Sequence, residues 1–173
     1  MSNRDWRATA ELIGIAAIVA SLIFVGLQMK QSQEIAVADQ YQARADAALE
    51  FYLALMQDEN SLTMRGKIIV DDVAAGRSPD AIKNALESEG PQMLASRYLV
   101  YRANITMFDN YHFQYQQGFL SEEAWLAFRV RLKGLFSNEV GAAFYAGQAD
   151  DFRQSFQDVC SQILAELATE TAK

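Results

Sequence analysis

A chain of 173 residues, 51% hydrophobic and 21% charged, has enough apolar material for a folded core and too little charge for a disordered polymer. Its net charge of −7 argues against nucleic acid, since a phosphate-binding surface needs clustered Lys and Arg. The single cysteine, Cys160, excludes an intrachain disulfide, and the scarcity of proline (two) suits long helices.

The first predicted element is the most informative. From Leu12 to Met29, 18 consecutive residues carry no charge. At roughly 1.5 Å per residue such a helix is about 27 Å long, close to the hydrocarbon thickness of a bilayer. Its aliphatic side chains favour insertion by a few kcal/mol before Gly14, Ser21, Gly26 and Gln28 are set against them. A soluble helix of this composition would need protein partners on every side. Residues 10–29 are therefore expected to cross a lipid bilayer as a single pass, with residues 1–30 forming a tail and anchor and residues 31–173 a separate helical domain. Ala36-Val37-Ala38 before Asp39 has the small residues of a signal-peptidase site. It lies some ten residues beyond the apolar core, and that distance favours a retained anchor. Arg4, Arg7 and the amino terminus on one side nearly balance Lys30 and Arg44 on the other, so charge does not set the orientation.

No glycine or proline occurs between Leu27 and Arg65. Ile35, Ala38, Gln42, Ala45, Leu49, Tyr52 and Met56 recur at spacings of three and four, which predicts that the membrane helix runs on to about Gln57 and mounts the domain without a hinge. Ser61 is then expected to cap a helix ending near Gly76, and Ser78-Pro79-Asp80 to start another. Gly90-Pro91 separates that helix from a long one closing at Gly118. Ser121 precedes two acids that suit a first turn, Ser137 is the expected cap of a short helix closed by Gly147, and a last helix begins near Asp150 or Asp151 and frays after Leu167. No strand alternation appears. The fold expected is all-α, with about seven helices.

Between Pro91 and Gly118 the residues Leu94, Tyr98, Tyr101, Ile105, Phe108, His112, Tyr115 and then Phe119 repeat at four and three. This is a core seam, and its phenols and imidazole need partners when buried. Either their polar tips reach backbone, helix ends or water within a packed interior, or Tyr98, Tyr101, Asp109, His112 and Tyr115 line a small-molecule pocket. Asp109 and His112 also share the i, i+3 spacing of carboxylate metal bundles, with Asp46 and Glu50 as further oxygens. The chain has no second histidine to complete such a centre, so a core histidine is the expectation and no metal or cofactor is assigned. No catalytic residue is assigned either. GxSxG, P-loop, GxGxxG, CxxC and HExxH patterns are absent, Cys160 lies on an apolar stripe with Phe152, Phe156, Val159 and Ile163, and the sequon Asn104-Ile105-Thr106 falls inside a helix. Within the span, Ala10, Gly14, Ala17 and Ser21 form a small-residue face of the kind along which two membrane helices approach.

Several segments carry a resemblance to a group of bacterial proteins that each have one N-terminal span and a helical domain. They are Glu11-Leu12-Ile13-Gly14 entering the span, Leu27-Gln28-Met29-Lys30-Gln31 leaving it, Phe108-Asp109-Asn110-Tyr111-His112-Phe113-Gln114-Tyr115-Gln116-Gln117-Gly118-Phe119-Leu120, Glu122-Glu123-Ala124-Trp125 and Phe152-Arg153-Gln154-Ser155-Phe156. The resemblance implies a membrane-anchored helical domain and brings no activity or catalytic residues with it. Such proteins are often more basic after the span, which implies a cytoplasmic domain; here Lys30 alone stands in that place. The reading that results is a bacterial inner-membrane protein working through contacts with another protein or a second copy. A small-molecule sensor is the alternative.

Overall fold

The computed structural model describes residues 3–171, and among them every regular element is helical. The helices are α1 (Asn3–Gln57), α2 (Glu59–Ala74), α3 (Asp80–Glu89), α4 (Pro91–Gln116), α5 (Glu122–Phe136), α6 (Glu139–Ala146) and α7 (Gln154–Thr171), with a 3-10 turn at Ala149–Asp151. Two compact units, Met1–Gln40 and Tyr41–Lys173, divide the chain within α1. The amino terminus and the side chain of Arg4 lie outside the described residues.

The first unit is a single helix. Every residue from Thr9 to Val37 is exposed, including Leu12, Ile18, Leu22 and Phe24. An α-helix satisfies its own backbone groups, so such a segment needs nothing from its surroundings except an apolar medium.

The second unit is a bundle built around α4, which is buried on more than one face. Leu94 and Ala95 at its start meet Ile69, Ile82, Val140 and Phe144 from α2, α3 and α6. Further along, Ile105 and Phe108 join Leu132 and Phe136 of α5, Tyr145 of α6, and Phe156, Cys160 and Ile163 of α7. Two close approaches depend on glycine. A Cβ on Gly66 would lie 2.9 Å from the Pro91 carbonyl oxygen, and one on Gly141 would lie 2.6 Å from the Tyr101 ring.

The boundaries follow local chemistry, with four corrections. Asp58, rather than Ser61, caps α2: its carboxylate accepts the Ser61 N–H at 3.0 Å and the Ser61 hydroxyl, and these bonds hold its pKa below the usual carboxylate value. Pro79 occupies the cap position of α3 with no side-chain cap, so Ser78 does not start that helix. Asn138 caps α6 in place of Ser137, whose hydroxyl donates to the Gly134 carbonyl at 2.8 Å and so belongs to the end of α5. Its Oδ1 accepts both the Val140 N–H and the Arg97 guanidinium, a tertiary tie that Ser137 lacks. Finally, Asp150 and Asp151 form the 3-10 turn, and α7 starts at Gln154 and runs past Leu167 to Thr171. As expected, Ser121 caps α5, Pro91 opens α4 and α1 ends at Gln57. Gly118, at φ +78°, reverses the chain after α4, where a side chain would be strained. That reversal takes Phe119 off the α4 seam and leaves it exposed.

Candidate functional site

The rise of an α-helix places Tyr98 and Tyr115 about 25 Å apart along α4, so the five polar seam residues meet different neighbours. Tyr98 packs edge-on against Phe144 at 5.1 Å, and its hydroxyl donates to Gln148 at 3.2 Å. Tyr101 lies 5.8 Å from the same Phe144 and receives the Arg97 guanidinium on its ring. His112 and Tyr115 both contact Trp125 of α5, at 4.9 and 5.7 Å. Asp109 is taken up by Arg153, which ion-pairs with it at 2.9 Å. These groups divide between two aromatic clusters and an ion pair, and do not converge on one cavity.

His112 is buried, its Nδ1 has no hydrogen-bond partner among the described residues, and the Phe156 ring lies 5.9 Å from it. Burial, reinforced by the charge of Arg153, lowers its pKa to about 4, so the imidazole is neutral at physiological pH. Burial pushes the Asp109 carboxyl above its ordinary value, while the hydrogen bond and charge of Arg153 pull against it. The same guanidinium lies 4.9 Å from the Phe113 ring and 5.8 Å from Tyr41, two rings that stack at 3.8 Å. Arg153, immediately before α7, thus ties α4 and the start of α7 to the end of α1 that belongs to the bundle. Sequence reading missed this role, because Asp109 and Arg153 stand 44 residues apart and no local pattern pairs them.

Among the described residues no group of three or more His, Cys, Asp or Glu is placed to hold a metal ion. Asp46 is exposed and accepts from Gln42 at 2.9 Å, and Glu50 is exposed too. Cys160 is fully buried, and burial pushes its thiol up to about 12 despite the hydrogen bond with Tyr145, so it is neither a nucleophile nor a thiolate ligand.

Tyr98 borders two clefts. One, of about 270 Å³, includes Ile69, Arg77, Pro79, Phe144 and Gln148 in its lining. The other, of about 480 Å³, is formed by Phe51, Tyr52 and Leu55 of α1, Met64, Arg65 and Ile68 of α2, and Tyr98 and Arg102 of α4. Arg102 is the organiser here. Its Nε donates to the Tyr52 hydroxyl at 3.0 Å, and its Nη1 donates to Gln148 and pairs with Asp151 at 2.9 Å. A usable signal for Arg65 was present, since it shares the inward face of α2 with Leu62, Gly66, Ile69 and Val73.

Within the uncharged part of α1 and just before it, Ala10, Gly14, Ala17 and Ser21 are all exposed, and a Cβ on Gly14 would meet nothing within 4 Å.

Among the described residues the fold therefore defines an all-α bundle protein with one helix, near the N-terminus, long and apolar enough to cross a membrane. Comparison with known protein families, with curated proteins and with solved structures finds no match to this chain.

Proposed function

We propose that this chain is a single-pass protein of the bacterial inner membrane whose acidic helical bundle, on the cytoplasmic side, acts through protein contacts as a scaffold, accessory or regulatory subunit. The observation that carries the reading is the first unit: an uncharged stretch of 18 residues, helical throughout, with every side chain exposed. In water, so many exposed aliphatic side chains would drive aggregation, and a bilayer removes that cost. The resemblance to singly anchored bacterial proteins supports the same setting. The face of Ala10, Gly14, Ala17 and Ser21 is the proposed seam with a second copy or another membrane helix.

Alkaline carbonate extraction of membranes holding the full chain tests the anchor, and in-membrane crosslinking tests the seam. The expected result is retention in the pellet, a crosslinked species, and several-fold less of it with Gly14→Leu. Release of the unaltered chain into the supernatant without detergent would overturn the anchor. Undiminished crosslinking in Gly14→Leu would overturn the seam.

A further inference from the structure

We propose that the cleft between the end of α1, α2 and α4 binds a small organic anion: a monocarboxylate with an apolar body. Its volume, about 480 Å³, lies in the range of roughly 300–1,000 Å³ typical of small-molecule sites. Phe51, Met64 and Ile68 on its walls remain 59, 68 and 42% exposed, so apolar surface stands open to solvent there.

The charge pattern supplies the anion. The bundle has five half-buried arginines, and four of them pair with carboxylates: Arg97 with Glu89, Arg102 with Asp151, Arg129 with Glu166 and Arg153 with Asp109. The fifth, Arg65, has no carboxylate partner among the described residues. Its guanidinium sits 4.0 Å over the Tyr98 ring, a cation–π contact, and among the described residues its fork of N–H donors meets no carboxylate. Across the same cleft, Nη2 of Arg102 has no hydrogen-bond partner among the described residues, while Nε and Nη1 are committed. A half-buried guanidinium without a counter-ion is unfavourable, and a planar carboxylate matches it in charge and shape. Asp151, which also borders the cleft, disfavours a second negative charge on the ligand. Such a molecule would set its carboxylate between Arg65 and Arg102 and its apolar body against Phe51, Met64 and Ile68.

Two sources fit this chemistry, an aromatic acid from solution and a fatty acid from lipid. The test uses the full chain in phosphatidylcholine nanodiscs, with empty nanodiscs as the blank, and measures binding of 1-naphthoate and decanoate by equilibrium dialysis. The neutral 1-naphthalenemethanol and decanol are run beside them. The expected result is saturable binding of at least one acid below about 1 mM, with the matching alcohol at least about tenfold weaker. Which acid binds identifies the source. Arg65→Met, which keeps the stem and removes the charge, should weaken the acid about tenfold, and so should Phe51→Ser at an exposed wall position. Arg131→Met, on α5 and remote from the cleft, should change nothing. Thermal melting of each variant reports whether the bundle is intact. No saturable binding of either acid, equal binding of acid and alcohol, or unchanged binding in Arg65→Met with its melting preserved would each overturn the proposal.

Discussion

Residues 9–37 of α1 and the whole of α4 are both long, apolar-rich helices, and they solve opposite problems. The α1 segment is aliphatic and small-residue in character, uncharged for 18 residues, and exposed throughout. By contrast, α4 carries Arg97, Arg102, Asp109, Asn110 and His112 among its aromatic rings, and the two guanidinium groups, the Asp109 carboxylate and the Asn110 amide nitrogen each find a partner on another segment of the bundle. A helix surrounded by protein must satisfy each buried polar group individually. One surrounded by a uniform apolar medium only has to leave polar groups out. The contrast shows what distinguishes a core helix from a helix apolar enough to cross a membrane: how polarity is placed, more than how much apolar surface there is.

The largest expected effect breaks the comparison directly. Ile105→Ala, at a fully buried position of α4, should cost the bundle about 2–5 kcal/mol of stability. Leu22→Ala, at an exposed position of α1, should leave the melting of the bundle unchanged. Equal losses in the two variants, measured by denaturant titration in detergent, would show that residues 9–37 are covered by protein after all.

A somewhat smaller effect sharpens the account of how α4 handles charge. Arg153→Met strands the Asp109 carboxylate and removes the guanidinium from the Tyr41–Phe113 stack, and should cost about 2–4 kcal/mol. The double variant Arg153→Met with Asp109→Leu should recover part of that loss, because the stranded charge is gone. No recovery in such a cycle would mean that the ion pair is not what holds α7 to α4.

The smallest effect concerns His112. Its folded pKa, about 4, lies below the unfolded value of about 6.5, so between those limits the unfolded chain binds more protons. Stability therefore falls as pH is lowered from about 6.5 toward 4. Between about pH 7 and pH 5 the loss should be about 2 kcal/mol, and His112→Phe should flatten that part of the profile. Carboxylates titrate mostly lower, which is why the upper window is the informative one. An unaltered slope in His112→Phe, followed by thermal melting, would remove the imidazole from this account.

Much of this architecture could be read from local chemistry. The absence of Gly and Pro after Leu27 accounts for α1 reaching Gln57, Gly90-Pro91 for the start of α4, and the apolar stripe around Cys160 for its burial. Where two capping residues stand close together, sequence could not choose between them. Asp58 prevails over Ser61 because its carboxylate takes both the N–H and the hydroxyl of that serine. Asn138 prevails over Ser137 because it also holds Arg97. The seam of α4 was legible as buried surface, yet its polar residues could not be assigned neighbours. Arg153, Gln148 and Trp125 come from distant segments, and periodicity along one helix carries no information about them. For the same reason the cleft beside Arg65 was visible only once three helices had been brought together.

The placement of Phe156, Cys160 and Ile163 in α7 has a consequence for the order of events during synthesis. These side chains complete the interior around Ile105 and Leu132, and they are the last buried side chains of that cluster to leave the ribosome. The uncharged segment, residues 12–29, emerges well before them. At about 5–20 residues per second the interval is on the order of 10 s. The apolar segment of α1 is thus outside the ribosome for that interval while the globular part is still open, and the closing of α7 marks the moment at which the bundle interior is sealed.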